Sequence, residues 1–170
     1  MYQLKNSPLV ASTLPPIAKA TDSTLQPANY TDSTFQTSNS ITFLETRMTN
    51  MRYEVEYTNE FEEWWLTLDQ STQVSIEAKG VKLLQEQGPN LLFPYSSNIK
   101  QSRHGNMREL RVQHKGEPYR ILYAFDPRRV AILLLGGNKV GNDRWYEENV
   151  PKADKLYDQY LREIKDEGLI

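Results

Sequence analysis

The stretch Val130-Ala131-Ile132-Leu133-Leu134-Leu135 constrains this chain most. Six successive apolar residues are far too few to cross a membrane. A run that is apolar on both faces when extended predicts a central strand covered on both sides. It forms the body of the last of three strand-like runs, Arg108 to Gln113, Tyr119 to Asp126 and Arg129 to Leu135. The turn signals His114-Lys115-Gly116-Glu117-Pro118 and Asp126-Pro127 separate them, and connections this short predict an antiparallel meander.

Upstream, Arg52 to Tyr57 alternates, with Tyr53, Val55 and Tyr57 on one face, and predicts a further strand. Thr58 or Asn59 then offers an N-cap, and Glu60, Glu62 and Glu63 fill a first helical turn, where the dipole favours anions. Phe61, Trp64, Trp65 and Leu68 form the apolar stripe of that short helix. A second helix is expected from about Asp69 to Gln87, with Val74, Ile76, Val81, Leu83 and Leu84 among its apolar positions, stopped by Gly88-Pro89. A loop with Pro94 leads into the strands. Beyond them, Ala153, Tyr157, Tyr160, Leu161 and Ile164 mark a terminal helix with Pro151 near its start, at N1 or at a kink. Strand, two helices, three strands and a helix make a small α+β domain, an antiparallel meander sheet with an N-terminal helical hairpin and a C-terminal helix.

That domain is expected over residues 51 to 170. Residues 1 to 50 hold 15 Ser and Thr, three basic and three acidic residues, and read as a low-complexity, solvated leader. Thr21-Asp22-Ser23-Thr24-Leu25-Gln26 recurs as Thr31-Asp32-Ser33-Thr34-Phe35-Gln36, a unit too polar to stack. Met48 and Met51 sit where order is expected to begin, so the leader reads either as a product of start-site choice or as a tail without a role. Leu9-Val10-Ala11 runs into Ser-Thr-Leu-Pro-Pro rather than an unbroken apolar segment, which argues against a signal peptide and for a cytoplasmic protein without membrane partners.

With no Cys in 170 residues, disulfides, thiol catalysis and thiolate metal sites are excluded. His104 and His114 alone make a poor metal site, so no metal or cofactor is expected. Charge is more informative when resolved by segment. Residues 51 to 99 carry 3 basic and 8 acidic groups and residues 145 to 170 carry 4 and 7, whereas residues 100 to 144 carry 10 and 4. The overall net charge of −2 therefore conceals a basic region, which reads either as the footprint of a polyanion partner or as a solvated sheet surface whose charges pair with Glu109, Glu117, Asp126 and Asp143. Within it, a four-residue loop at 114 to 117 would set residue 113 opposite 118 and Arg111 opposite Arg120. Two facing arginines destabilise a sheet unless they serve an anion.

At these residues a family becomes visible. Gly105-Asn106-Met107-Arg108-Glu109-Leu110-Arg111-Val112, Pro118-Tyr119-Arg120-Ile121-Leu122-Tyr123-Ala124-Phe125, Leu133-Leu134-Leu135-Gly136-Gly137-Asn138-Lys139 and Asp143-Arg144-Trp145-Tyr146 resemble the RelE/ParE toxins of type II toxin-antitoxin systems, closest to the HigB-like, phage-derived branch. The resemblance implies a metal-independent, ribosome-dependent mRNA endonuclease that inhibits translation and is restrained by a cognate helix-turn-helix antitoxin. The same superfamily holds gyrase poisons, and a non-catalytic phage-derived binding protein is a further alternative. By resemblance, Arg120 matches the position that holds the scissile phosphate and Arg111 a basic residue of the same cluster. Lys139 matches a cation that stabilises the transition state or protonates the leaving oxygen, and Tyr146 matches the active-site tyrosine. Glu109 departs from the pattern, which favours lysine there.

Guanidinium forks suit a phosphate whose charge grows as a ribose 2′-hydroxyl attacks it. His104 is the nearby group with an ordinary pKa close to neutral, and hence a candidate base. Lys100, Arg103, Arg108 and Arg144 are candidate RNA contacts, with Trp145 as a stacking residue. Trp64, Trp65, Tyr119, Tyr123 and Phe125 are expected in the core, and Arg128 and Arg129 as solvated turn charges.

Overall fold

The computed structural model describes residues 52 to 170; the polar leader and its repeat lie outside the described residues. β1 (Val55–Tyr57) leads into α1 (Asn59–Leu66), and Thr58 joins the two. Its side-chain oxygen accepts from the Phe61 N–H at 3.3 Å, while its hydroxyl donates to the Leu134 carbonyl at 2.5 Å. Asp69 caps α2 (Gln70–Ile76), accepting from the Thr72 N–H and from the hydroxyls of Thr72 and Ser71. These donors, the Thr72 hydroxyl foremost, hold the Asp69 carboxyl well below the usual carboxylate range.

The uninterrupted helix expected from Asp69 to Gln87 is instead built in three parts. A π-helical turn (Glu77–Val81) follows α2, and α3 (Lys82–Gln87) follows the turn. Gly80, inside the wide turn, lies so close to the sheet that a Cβ there would stand 3.1 Å from Val112 Cγ2. Thr72, Ser75 and Ile76 set the buried face of α2, which turns Val74 out to 45% exposure, contrary to its expected apolar position. At Gly88 the backbone takes φ +53° and the Tyr53 ring occupies the place of a Cβ, so the helix ends there.

The sheet runs β1-β5-β4-β3-β2. β3 (Met107–His114), β4 (Glu117–Phe125) and β5 (Ala131–Asn138) form the antiparallel meander. Two strands extend it, the expected β1, shortened to three residues, and the unexpected β2. β1 pairs in parallel with β5, and β2 (Ser96–Asn98) pairs with the outer edge of β3 in what reads as loop sequence. β2 lacks apolar alternation because its buried residue is Ser96, whose hydroxyl meets the Tyr123 hydroxyl at 2.8 Å.

The β3–β4 loop is shorter than expected. His114 pairs with Glu117, and only Lys115 and Gly116 turn the chain, at φ 48° and 82°, the signs of a type I′ hairpin. The register of the strands is nevertheless the expected one, with Gln113 opposite Pro118. Between β4 and β5 the register shifts at Leu122/Tyr123, because Leu135 faces Leu122 while Leu133 faces Tyr123. Leu134 is thus an extra residue, a bulge. Ala131 to Leu135 are buried throughout, in keeping with a strand covered on both faces.

The helical segments α1 to α3 cover one face and α4 (Trp145–Asp166) covers the other. α4 begins well before Pro151, so the proline is not at N1. It lies in the second turn, where the Glu147 carbonyl loses its usual donor. Val150, Ala153, Tyr157, Tyr160 and Ile164 are its buried side chains. No helix among the described residues is long and apolar enough to cross a membrane.

Arg128 is not a solvated turn charge. It donates to Asp126 at 2.7 Å and to the Tyr160 hydroxyl at 2.7 Å, with Glu56 at 3.4 Å, and so neutralises a carboxylate pair under the end of the sheet. Arg129 remains exposed at φ 72°.

Consecutive glycines let two tryptophans onto opposite faces of β5. A Cβ at Gly136 would fall 2.1 Å from the Trp64 ring, and one at Gly137 would fall 2.7 Å from Trp145 Nε1. Gly136→Ala must displace the Trp64 ring, and destabilisation by about 1–3 kcal/mol is expected for such overpacking. Urea unfolding followed by tryptophan fluorescence checks this; an unchanged midpoint would refute it.

Candidate functional site

The strand register places Arg111 of β3 directly opposite Arg120 of β4, and Gly137 of β5 next in the same row. The facing arginines are as expected, but they are not uncompensated. Glu109 lies two residues along β3 on the same face, diagonal to Arg120, and its side chain is only 4% exposed. Its Oε1 is 3.5 Å from Arg111 Nη1 and its Oε2 is 3.6 Å from Arg120 Nε. Ser97 of β2 donates to Oε1 at 2.7 Å, and Tyr146 of α4 donates to Oε2 at 2.6 Å. One carboxylate therefore gathers two guanidiniums, a serine and a phenol contributed by four elements.

The arginines are not equivalent. Arg120 is 11% exposed and donates from Nη1 to the Tyr119 carbonyl at 2.9 Å, leaving its buried Nε without a hydrogen-bond acceptor. Arg111 is 34% exposed and reaches the surface, its guanidinium carbon 5.4 Å from the centroid of the Phe93 ring. Lys139, just past β5, holds its ammonium 5.1 Å from the centroid of the Tyr146 ring. Arg111, Arg120 and Lys139 against Glu109 leave the group with an excess of positive charge.

Burial raises the Tyr146 phenol above the ordinary tyrosine pKa, and the hydrogen bond to Glu109 raises it further against the opposing pull of Arg120. At neutral pH Tyr146 is therefore a protonated donor. Trp145 positions it, packed edge-on at 5.1 Å between ring centroids and seated over the bare backbone of Gly137.

The remaining sequence candidates lie elsewhere. Trp145 is 4% exposed, so it is a packing residue and not the expected stacking surface. His104 is not brought to the cluster. Its carbonyl accepts from the Met107 N–H at the far end of β3, four residues or about 13 Å of strand from Arg111. There its Nε2 meets Asp158 at 2.8 Å and its ring stands edge-on to Tyr157. Arg103 pairs with the same Asp158, so both residues fasten the β2–β3 loop to α4.

Arg108 is buried on the opposite face, where it donates to the Pro89 and Leu91 carbonyls, and is a structural clamp instead of an RNA contact. Lys100 is exposed in the β2–β3 loop, and Arg144 is exposed and paired with Glu147 at 3.0 Å. Among the described residues, no group of three His, Asp or Glu side chains is placed to hold a metal ion.

Sequence reasoning named Glu109 as a departure from the family pattern and as a possible partner of the sheet's basic groups but not as the centre of the site, although it shares the strand face of Arg111 by simple alternation; Ser97 it missed. Ser97 sits in a polar three-residue strand that no pattern announces.

Residues 63–158 match the family model described as "Phage derived protein Gp49-like". Over 105 residues the chain is 40% identical to a Mycobacterium tuberculosis protein named as toxin HigB2, covering 61% of this chain and 52% of that protein. It thus spans about half the length of that relative. It is 43% identical over 101 residues to one named as toxin HigB3 from the same organism, covering 59% of this chain and 86% of the relative. A chain in the crystal structure of the M. tuberculosis toxin-antitoxin complex RelBE2 aligns with a TM-score of 0.40 and 14% identity, covering 51% of this chain and 98% of that one.

The coupling of Tyr146 to its neighbours is testable by alkaline titration. Subtracting the ultraviolet titration of Tyr146→Phe from that of the intact protein should isolate a phenol ionising above the ordinary tyrosine value. Arg120→Met, which removes the lowering influence, should move it higher still; a downward movement would contradict the assignment.

Proposed function

The chain belongs to the Gp49-like family of phage-derived proteins, with HigB-named toxins as relatives, and on that premise we propose that it is the toxin of a type II toxin-antitoxin pair that cuts messenger RNA. The observation that carries this reading is the pair of facing guanidiniums, held by one buried carboxylate beside a protonated phenol and a lysine.

In this reading the scissile phosphate lies on Arg111 and Arg120. The ribose 2′-hydroxyl attacks the phosphorus, the bond to the 5′-oxygen breaks, and the products are a 2′,3′-cyclic phosphate and a free 5′-hydroxyl. Negative charge builds on the phosphoryl oxygens during the attack, and guanidiniums already fixed in place stabilise it without reorganising. The buried Arg120 Nε stays beside Glu109, which leaves the terminal nitrogens of the two guanidiniums as the groups that meet the phosphate.

Tyr146 and Glu109 form the proton path. The 2′-proton passes to the Tyr146 oxygen as the phenolic proton passes across the 2.6 Å bond to Glu109, so the phenol never has to become a phenolate. Lys139 gives its proton to the departing 5′-oxygen. Because the nucleophile is a 2′-hydroxyl, the substrate is RNA and not DNA.

The chain's net charge of −2 favours a toxin to which the ribosome presents its message, acting in the bacterial cytoplasm. A cognate helix-turn-helix antitoxin restrains it by covering the site.

The test is brief induction of the full chain in a bacterial host lacking an antitoxin, with RNA 5′ ends mapped across the transcriptome. New ends concentrated inside translated frames are expected; growth arrest with intact messages would overturn cleavage and point to gyrase. Arg120→Ala should fold, as judged by circular dichroism, and lower cleavage by roughly 10²–10³-fold, as losing one transition-state donor does. Glu109→Gln is isosteric but removes both the proton acceptor and the charge that balances the arginines; a variant that circular dichroism shows to be folded should lose cleavage similarly. A folded Arg120→Ala that still arrests growth would sink the proposal.

A further inference from the structure

The face that carries the arginine pair ends in an aromatic side chain that the fold leaves in solvent. Phe93 is 73% exposed, in the segment between α3 and β2, with Leu92 65% exposed before it and Tyr95 45% exposed after it. A folded chain ordinarily turns a phenylalanine inward, since burying one contributes roughly 1.5–3 kcal/mol. Here the segment is held firmly while its ring is kept out. The Arg111 N–H donates to the Tyr95 carbonyl at 2.8 Å, and the Tyr95 and Ser96 N–H groups both donate to the Leu92 carbonyl at 3.1 Å. The backbone that carries the ring therefore stands at a fixed place relative to β3.

That place is beside the phosphate cluster. The guanidinium of Arg111 lies over the Phe93 ring at 5.4 Å and, on its other side, faces Glu109 at 3.5 Å. A cation that binds a phosphate and an exposed ring in contact with it together match one nucleotide step: backbone on the arginine, base on the ring. Every unpaired base can stack, with a modest preference set by stacking strength, and an adjacent arginine strengthens the contact. Trp145, the aromatic residue that sequence alone favoured for this task, is buried against Gly137 and cannot present a face.

We propose that Phe93 is a base-stacking platform, taking an unpaired RNA base next to the phosphate held by Arg111 and Arg120. The proposal rests on the endonuclease reading and adds to it the subsite that would weight cleavage by the neighbouring base. Partner side chains are the competing occupant of the same surface, since an exposed apolar patch also fits a protein.

Phe93→Ala, Phe93→Leu and Phe93→Tyr, with the intact chain beside them, separate these cases by cleavage rate, cut-site sequence and neutralisation by co-expressed antitoxin. Phe93 is 73% exposed, and circular dichroism checks that each variant folds. A stacking platform predicts that alanine and leucine each lower cleavage about tenfold or more, the scale of one lost base stack, and blur the base preference beside the cut, while tyrosine keeps both. Equal rates and unchanged cut sites in all four proteins would overturn the platform while leaving the endonuclease standing. So would full cleavage by alanine with loss of neutralisation, which would give the patch to the antitoxin. An intact chain that cuts no RNA would remove the endonuclease reading and the platform with it.

Discussion

A single buried carboxylate reconciles this sheet with the site it carries. Arg111 and Arg120 face each other across β3 and β4, and without compensation their repulsion would work against the pairing that forms the centre of the fold. Glu109 removes that conflict from the neighbouring row and is itself held by Ser97 and Tyr146. A charge so far from water is tolerated only when its lone pairs are occupied and its sign is balanced. The same requirement recruits the edge strand β2 and the first turn of α4, so the site's geometry and the docking of two peripheral elements share one origin.

The second organising device is the absence of side chains. Gly136 and Gly137 give opposite faces of β5 to Trp64 and Trp145, and the latter ring sets where Tyr146 stands. Backbone bareness on the sheet thus controls the position of a phenol on a helix. A comparable closeness occurs where the π-helical turn brings Gly80 onto Val112. At Gly136 and Gly137 two layers approach more closely than a Cβ allows, and at Gly80 a Cβ would fit only if Val112 gave way by a few tenths of an ångström.

Much of this was legible beforehand. Alternation and turn chemistry gave the meander and the Arg111–Arg120 register, because a period of two leaves few pairings that bury Leu110, Val112, Ile121 and Tyr123 together. The short strands β1 and β2 were harder. β1 gains its place by a parallel crossover that no local signal encodes, and β2 is a run of polar residues whose partners are remote in sequence. The site divided in the same way. Arg111, Arg120, Lys139 and Tyr146 converge as expected, whereas His104 and Arg108 are drawn off by Asp158 and by the carbonyls of Pro89 and Leu91. Residue type suggests what a side chain can do; which neighbours claim it is decided by tertiary contacts.

The bulge at Leu134 makes β5 a counting device. Extended chain alternates faces, so one additional residue between Leu133 and Leu135 reverses the parity of everything downstream. Gly136 meets Trp64 and Gly137 meets Trp145 only because that odd residue is present. Loss of one residue from this strand would present each glycine to the wrong helix layer and carry Lys139 round to the opposite side. In descendants of this sequence, β5 can therefore vary in composition among apolar residues but not in length.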